Sequence, residues 1–239
     1  MTEIIFTSDI SVKLVQSVGD DSMIVAAAKV STSGEEALEF TDKDANYGLI
    51  NYLVKQKHGT PLEHNSFTFF VDAPIFCWRE HMRHRVAFSF NEASGRYKKL
   101  DPKFWIPKRE RKFVPAEGYK AARPVFESGS DEDYNKIITK LTNSYKQTYS
   151  DYETMVEAGF AKEVSRACLP VGIYSQCWVT CNVRSLMNFL SLRVHDKNAK
   201  YVSYPQAEIE EIARQYEAVL AEKFPLAYKS YIENGRVAP

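Results

Sequence analysis

The chain has 239 residues, of which 44% are hydrophobic and 26% are charged, and its formal net charge is zero. This composition is typical of a globular protein with a sizeable core. The absence of net charge disfavours a general nucleic-acid or membrane surface. The N-terminal sequence has no basic region followed by an apolar run, and no apolar stretch reaches 18 residues. We therefore expect neither secretion nor a membrane span.

The four cysteines are Cys77, Cys168, Cys177 and Cys181, and no two of them form a CxxC pair. Most lie among apolar or small residues, which favours buried thiols over disulfides or a metal site. None has the cationic, exposed setting that activates a thiolate. Free thiols are typical of a reducing compartment, so we predict a cytoplasmic protein.

The N-terminal part of the chain alternates predicted extended and helical segments. They are an extended stretch over 3–14, a helix over 20–31, a helix over 40–61, a strand over 65–74 and a helix over 75–85. Thr41 or Asp42 is the expected cap of the second helix, and Gly59 and Pro61 are expected to stop it. Pro74 fits the first turn of the third helix.

The C-terminal part is predicted to be mostly helical after an irregular excursion that contains four prolines. The segments are the excursion over 95–131, a long helix over 131–160, a short helix over 161–169, a strand over 172–181, a helix capped by Asn182 over 183–194 and a helix over 204–224. Strands and helices do not follow regular βαβ spacing. The predicted fold class is therefore α+β, a single domain over 1–239 with a mixed or antiparallel sheet and several helices.

The segment 79–85, REHMRHR, holds three arginines, two histidines and one glutamate. In a continuous helix, Arg79 and Arg83 would share one face. The planar fork of arginine suits phosphates and the carbonyl edges of flat heterocycles. Charge alone leaves an anion site and a solvated basic patch equally open. A metal site is disfavoured, because Arg83 and Arg85 would repel a cation and no cluster of thiolates or carboxylates completes the coordination.

A second polar segment, NEASGRY at 91–97, favours the anion site. Ser94 and Gly95 can present a hydroxyl and bare backbone N–H groups to a phosphate, with Arg96 as the charge partner. The chain has no GxGxxG motif and no Walker loop, so a Rossmann dinucleotide site is not supported.

With these residues the chain resembles the flavin-dependent thymidylate synthase family, whose signature is Arg-His-Arg, seven residues and then Ser. Here Arg83-His84-Arg85 is followed by eight residues, VAFSFNEA, before Ser94. We place the extra residue in VAF, as a small bulge. Further blocks resemble family motifs: AAKVS at 27–31, HGTPLEH at 58–64, EVSRACLP at 163–170 and NVRSLMNFLSLR at 182–193. The resemblance implies an α+β subunit in a homotetramer whose active sites are each built from several chains.

The resemblance also implies the site residues. The FAD contacts are Thr60, Arg83, His84, Arg85, Glu92, Asn182, Arg184 and Asn188. The dUMP contacts are Glu80, Arg83, Glu92, Ser94, Gly95, Arg96, Arg166 and Arg193. Arg193 is the implied catalytic residue, which contacts the uracil edge and favours ionised N3. His58 is an implied contact to folate or flavin.

Two features depart from the family pattern. Glu80 stands where the family often has glutamine, and a carboxylate near a phosphate is unfavourable unless Arg79 or Arg83 pairs with it. The loop over 194–205 is longer than usual, and we predict that it alters access to the nucleotide pocket.

The implied reaction is reductive methylation of dUMP to dTMP. Methylenetetrahydrofolate is the implied carbon donor, FAD the hydride carrier and NADPH the reductant. Two alternatives stay open: a flavoprotein NAD(P)H oxidase without methyl transfer, and a non-catalytic module that binds nucleotides or single-stranded nucleic acid. No metal, nucleic-acid partner or membrane partner is expected.

Overall fold

A computed structural model describes residues 2–40 and 45–239 of the chain. The strands are β1 Ile5–Thr7, β2 Ser11–Val18, β3 Ser66–Pro74, β4 Phe88–Glu92, β5 Lys103–Trp105, β6 Val114–Pro115, β7 Phe126–Glu127 and β8 Tyr174–Cys181. The α-helices are α1 Asp21–Ser33, α2 Tyr47–Lys55, α3 Ile75–His81, α4 Asp131–Glu157, α5 Lys162–Ser165, α6 Val183–Arg193, α7 Ala207–Lys223 and α8 Pro225–Glu233. Short 3₁₀ helices cover Gly34–Phe40, Thr60–Glu63 and Arg166–Cys168.

The described strands form one larger sheet and two small pairs. The larger sheet has four strands in the order β2-β3-β8-β4. Strand β1 pairs with β5 in parallel, and β6 pairs with β7 in antiparallel orientation. Helices and strands thus occur together, which confirms the predicted α+β class.

Contacts between residues group the chain into two compact units, each assembled from three segments. The first unit is Met1–Ser11, Asp72–His81 and Glu92–Cys177. The second unit is Val12–Val71, Met82–Asn91 and Trp178–Pro239. The single domain over 1–239 stays a prediction, and each unit is described by itself below.

The core of the first unit is built on the inner face of α4. Tyr145, Tyr149 and Tyr152 are buried on that face together with Phe104 and Ile173. The rings of Phe104 and Tyr145 stack with their centroids 4.7 Å apart. The spacing of three and four residues between these tyrosines is the helical periodicity that predicted α4. Gly159 follows the helix with φ of 83°, so the predicted stop at this glycine is confirmed.

The core of the second unit is an aromatic cluster. Phe67 and Phe69 of β3 alternate with less buried residues and are themselves fully buried, as the strand pattern predicted. Phe69 packs against Tyr216 of α7 at 4.4 Å between ring centroids, and Tyr216 packs against Phe189 of α6 at 5.6 Å. Phe224 closes the cluster against Phe67. Burial of these five rings is a dominant apolar contribution to this unit.

The second predicted helix is shorter than expected at both ends. It begins at Tyr47, where the Asn46 side chain caps it by accepting a hydrogen bond from the Leu49 N–H at 3.1 Å. The predicted caps Thr41 and Asp42 lie outside the described residues. The helix ends at Lys55, so the predicted stop at Gly59 and Pro61 is wrong. A positive φ of 64° at Lys57 breaks the helical path first.

The helix that carries the cationic segment is also shorter than predicted. It ends at His81, so the predicted extension to residue 85 is wrong. Pro74 closes β3 immediately before this helix and does not lie in its first turn. Arg83 and Arg85 follow in irregular backbone. The predicted face shared by Arg79 and Arg83 therefore does not form on one helix.

The segment VAF, in which we predict the extra residue of the signature, begins with a turn. Val86 and Ala87 lie in a turn directly before β4, and Ala87 has a φ of 51°. This is the left-handed region, which non-glycine residues enter at a cost. The irregularity expected within VAF is thus present, but as a turn ahead of the strand rather than a bulge inside it.

The C-terminal part follows the prediction with additions. Asn182 caps α6 by accepting from the Ser185 N–H at 2.9 Å, as predicted. The final helix splits at Phe224, and Pro225 opens α8, which the sequence pattern did not predict. The irregular stretch 95–131 contains the three short strands β5 to β7. All four cysteines are free, and Cys77, Cys177 and Cys181 are buried. In the described chain, no helix has the length and apolarity to cross a membrane.

Candidate active site

A cavity of about 450 Å³ lies within the first unit. Its polar wall consists of Glu92, Ser94, Gly95, Glu163, Arg166 and Ser175. Its apolar wall includes Ile75, Leu100, Leu169 and Ile173. Four of the eight predicted nucleotide contacts, Glu92, Ser94, Gly95 and Arg166, therefore line one space. A cleft with an apolar wall and a few convergent polar groups is typical of a small-molecule site.

The turn after β4 presents Ser94 and Gly95 to this cavity. The Ala93 N–H donates to the Gln176 carbonyl at 2.8 Å and anchors the start of the turn. The Tyr97 N–H donates to the Ser94 carbonyl at 3.1 Å and closes it. The Arg96 N–H donates to Ser94 Oγ at 3.3 Å. The Ser94 hydroxyl proton is therefore available to donate to a ligand oxygen.

Gly95 lies close to the side chains of Arg166 and Leu100. A Cβ at Gly95 would lie 3.1 Å from Arg166 Cδ and 3.1 Å from Leu100 Cδ1. Arg166 itself is exposed, and its guanidinium makes no hydrogen bond or ion pair with any of residues 2–40 or 45–239. An arginine without an internal partner beside a serine hydroxyl and a bare glycine forms a donor set suited to a phosphate.

Two other predicted nucleotide contacts in this unit, Arg96 and Glu80, do not line the cavity. Arg96 Nε instead donates to Glu163 Oε2 at 2.7 Å. Glu163 does line the cavity, and sequence reasoning assigned it no role. Its position three residues before Arg166 was the available signal, because this spacing places both side chains on one helical face.

The predicted catalytic residue lies in the second unit, at the end of α6. Arg193 Nε donates to His84 Nε2 at 3.1 Å. This contact requires the His84 tautomer whose proton is on Nδ1. The His84 ring packs against Phe189 at 4.6 Å between centroids, and the residue is 8% exposed. Burial, and secondarily the Arg193 charge, lowers the pKa of His84 to about 4. At neutral pH, His84 is therefore a neutral acceptor that orients Arg193.

Arg184, another predicted flavin contact of the second unit, is held by two hydrogen bonds. Its Nε donates to the Pro239 carbonyl at 2.7 Å, and its Nη1 pairs with Glu63 Oε1 at 2.5 Å. A Cβ at Gly59 would lie 2.5 Å from Arg184 Cζ, so only glycine leaves the guanidinium this position. Thr60 begins the 3₁₀ helix that carries Glu63. The other predicted flavin contacts of this unit, apart from His84, are the exposed residues Arg83, Arg85 and Asn188 and the cap residue Asn182.

Comparison with curated proteins places the chain in a family. A protein of Streptomyces coelicolor named flavin-dependent thymidylate synthase is 49% identical over 234 residues, which cover 97% of this chain and 94% of that protein. A protein of the same name from Tropheryma whipplei is 43% identical over 237 residues, with 98% and 97% covered. Residues 13–226 match the family model described as thymidylate synthase complementing protein. The chain belongs to the flavin-dependent thymidylate synthase family.

Solved structures agree with this family assignment. The UMP/dUMP methylase PolB from Streptomyces cacaoi, bound with 5-Br dUMP, is 40% identical and superposes with a TM-score of 0.88. That comparison covers 99% of this chain and 100% of the other. The same enzyme bound with 5-Br UMP gives a TM-score of 0.89 at 40% identity, with both chains fully covered. The flavin-dependent thymidylate synthase resemblance seen in the sequence is thus confirmed.

The donor chemistry of the second unit fits the flavin that the family name implies. Arg184 with exposed Arg83 and Arg85 offers cations for a pyrophosphate, and Asn188 offers an amide one helical turn from Arg184. The guanidinium that rests on Gly59 leaves no room for a Cβ. In contrast, no group of three or more His, Cys, Asp or Glu side chains in the described chain is placed to hold a metal.

The low pKa of His84 predicts a pH-dependent stability. In the unfolded chain a histidine titrates near 6.5, so the unfolded state binds more protons between about pH 6.5 and 4. The contribution of neutral His84 is fully present above pH 6.5 and is lost as the pH falls towards 4. Between pH 7 and 5 the loss is expected to be about 2 kcal/mol. Urea unfolding at both pH values measures this loss for the wild type and for His84→Gln. Glutamine keeps a hydrogen-bond acceptor but does not titrate. Equal pH dependence in both proteins would contradict the assignment.

Proposed function

We propose that this protein catalyses the reductive methylation of dUMP to dTMP, with methylenetetrahydrofolate as the carbon donor, FAD as the redox cofactor and NADPH as the reductant. The observation that carries this proposal is the cavity of the first unit, whose wall combines Ser94, Gly95 and Arg166. The family resemblance assigns these three groups to the nucleotide phosphate, and they lie within residues 13–226, which match the family model.

The nucleotide phosphate is held by the first unit in this proposal. The Ser94 hydroxyl and the backbone N–H groups at Gly95 donate to phosphate oxygens, and Arg166 supplies the balancing charge. Glu92 is an exposed member of this wall and is assigned to both nucleotide and flavin.

Arg193 acts on the pyrimidine ring in the proposed mechanism. Its guanidinium donates to the uracil edge and stabilises the negative charge that develops when N3 is ionised. The neutral His84 ring accepts from Arg193 Nε and so fixes the plane of the guanidinium. A cationic histidine could not accept this hydrogen bond. The low pKa of His84, about 4, therefore keeps Arg193 oriented at neutral pH.

The flavin site is proposed to consist of Thr60, Arg83, His84, Arg85, Glu92, Asn182, Arg184 and Asn188. FAD bound there supplies the transfer of reducing equivalents from NADPH to the pyrimidine and its new carbon substituent. Arg184 keeps its position over Gly59 through Glu63 and the Pro239 carbonyl. His58, which is exposed and packs edge-on against Tyr52, is a proposed contact to folate or flavin.

A route through a cysteine nucleophile is disfavoured by the thiols of this chain. Cys181 is buried, and burial raises the pKa of its thiol. Burial also raises the pKa of Cys168. A thiol of raised pKa stays protonated at neutral pH and is a poor nucleophile. In this proposal Arg193 activates dUMP without a covalent bond from the Cys168 or Cys181 thiol.

The proposal extends to assembly and location. A homotetramer with shared active sites is supported by the family resemblance and by exposed large side chains such as Val86 and Tyr97, at 81% and 77%. A cytoplasmic location is supported by four free cysteines, which are typical of a reducing compartment.

The test of this function is a product assay on purified, flavin-loaded protein. The protein is expected to be yellow and to release FAD on denaturation. It is expected to convert dUMP to dTMP only when methylenetetrahydrofolate and NADPH are both present. Omission of each component in turn is the control. Oxidation of NADPH without dTMP formation would show instead a flavoprotein oxidase, and a protein that binds no FAD would overturn the proposal.

A further inference from the structure

Glu163 is a carboxylate in the wall of the cavity where we place the phosphate. It lies on the short helix α5, and Arg166 follows it three residues later in the same wall. Its Oε2 atom accepts from Arg96 Nε at 2.7 Å. Arg96 belongs to the Ser94 turn, so this ion pair joins the turn to the helix across 67 residues of sequence.

The ion pair with Glu163 occupies the Arg96 guanidinium, a cation that could otherwise bind a phosphate. Arg96 is the cation nearest in sequence to Ser94 and Gly95, yet Arg96 does not line the cavity while Glu163 does. Among the described residues, this contact through Nε is the one hydrogen bond that the Arg96 guanidinium donates. The Glu163 carboxylate and a bound phosphate would both be anionic and would repel each other. Both therefore cannot bind Arg96 at once without a cost in free energy.

The pair is also weak enough to be exchanged. The side chains of Arg96 and Glu163 are 54% and 51% exposed, so water screens their attraction. One carboxylate oxygen meets one guanidinium nitrogen in this contact. A phosphate can instead bind the guanidinium fork through two oxygens, which is the stronger arrangement.

We propose that Glu163 is a positioning residue: it is an internal anion that holds Arg96 at the cavity rim and yields it to the phosphate of the nucleotide. This inference rests on the proposed function, because it assigns the exchange to dUMP. A ligand that carries a phosphate replaces the carboxylate at Arg96 and recovers the energy of the lost pair. A nucleoside without phosphate leaves the pair intact, so Glu163 does not alter its affinity.

The test is the affinity of FAD-loaded Glu163→Gln for dUMP, measured by calorimetry. Glutamine keeps the size of the side chain and removes its charge. The Kd for dUMP is expected to fall by about three- to tenfold, because the phosphate no longer competes with a carboxylate for Arg96. The Kd for deoxyuridine is expected not to change, and the KM for dUMP is expected to fall while kcat stays near the wild-type value. Glu157→Gln, an exposed carboxylate of the same unit outside the cavity wall, is the control for net charge.

A double-mutant cycle with Arg96→Gln tests whether Glu163 acts through Arg96. In the Arg96→Gln background the tightening caused by Glu163→Gln is expected to disappear. Unchanged or weaker dUMP binding by Glu163→Gln would overturn the proposal, and so would an equal gain for deoxyuridine or for Glu157→Gln. If the wild type binds dUMP but makes no dTMP, the proposed function fails and this inference stands. If the wild type makes dTMP and Glu163→Gln binds dUMP no more tightly, the inference fails alone.

Discussion

Replacement of Arg193 by alanine is expected to lower kcat for dTMP formation by about 100- to 1000-fold, the usual cost of one donor to a developing anion. The same variant is expected to lose dUMP affinity, because the uracil edge loses its charged donor. It is expected to retain FAD and its yellow colour, since Arg193 is not among the predicted flavin contacts. Single-turnover kinetics, dUMP titration and the flavin absorption spectrum measure the three effects.

The matched control at this position is Arg193→Lys. Lysine keeps the positive charge but lacks the planar fork and the Nε that donates to His84. We expect lysine to restore part of the dUMP affinity and little of kcat. Normal dUMP binding by Arg193→Ala would show that the catalytic assignment is wrong.

Replacement of Arg166 by alanine is expected to weaken dUMP binding by about ten- to a hundredfold, because hydrogen bonds to a charged group contribute roughly 1.5–3 kcal/mol. Arg166 has no internal partner in the described chain, so its removal leaves no buried charged group without a partner. The free energy of unfolding is therefore expected to be nearly unchanged. Binding of deoxyuridine, which has no phosphate, is expected to stay as in the wild type. Calorimetric titration with both ligands makes the comparison.

Arg123→Ala is the control for the loss of one arginine from the same unit. Arg123 is exposed and does not line the cavity. Its removal is expected to leave dUMP affinity unchanged at constant salt. Should Arg166→Ala weaken deoxyuridine as much as dUMP, the residue would contact the nucleoside rather than its phosphate.

Elements set by neighbouring residues were predictable from the sequence. The cap at Asn182 and the stop at Gly159 depend on side chains and backbone within one turn, and the structure has both. The alternation of Phe67 and Phe69 along β3 likewise follows from the period of a strand. Helix ends inside polar sequence were harder to predict. Lys57 and Ala87 adopt positive φ although neither is a glycine or an asparagine, the residues that usually indicate this conformation in a sequence.

The contacts that organise the candidate site lie beyond what a single sequence reveals. Arg193 and His84 are 109 residues apart, and the Arg96–Glu163 pair spans 67. No periodicity connects residues at such separations, so only the fold shows that His84 accepts from Arg193. The resemblance to a family predicted the arginines of the candidate site, of which Arg166 lines the cavity. It did not identify Glu163, because motif matching assigns roles without the charge of neighbouring residues.

Both compact units are assembled from three separate segments, and this has a consequence for synthesis of the protein. When residue 91 has left the ribosome, the nascent chain holds pieces of both units and the whole of neither. The first unit requires Glu92–Cys177 and the second requires Trp178–Pro239. The second unit therefore cannot fold vectorially, because its last segment is made only after the whole first unit has been synthesised. Strand β3 must wait for its sheet neighbour β8 and for the helices that follow it, which leaves the apolar residues of β3 exposed to chaperones for most of translation.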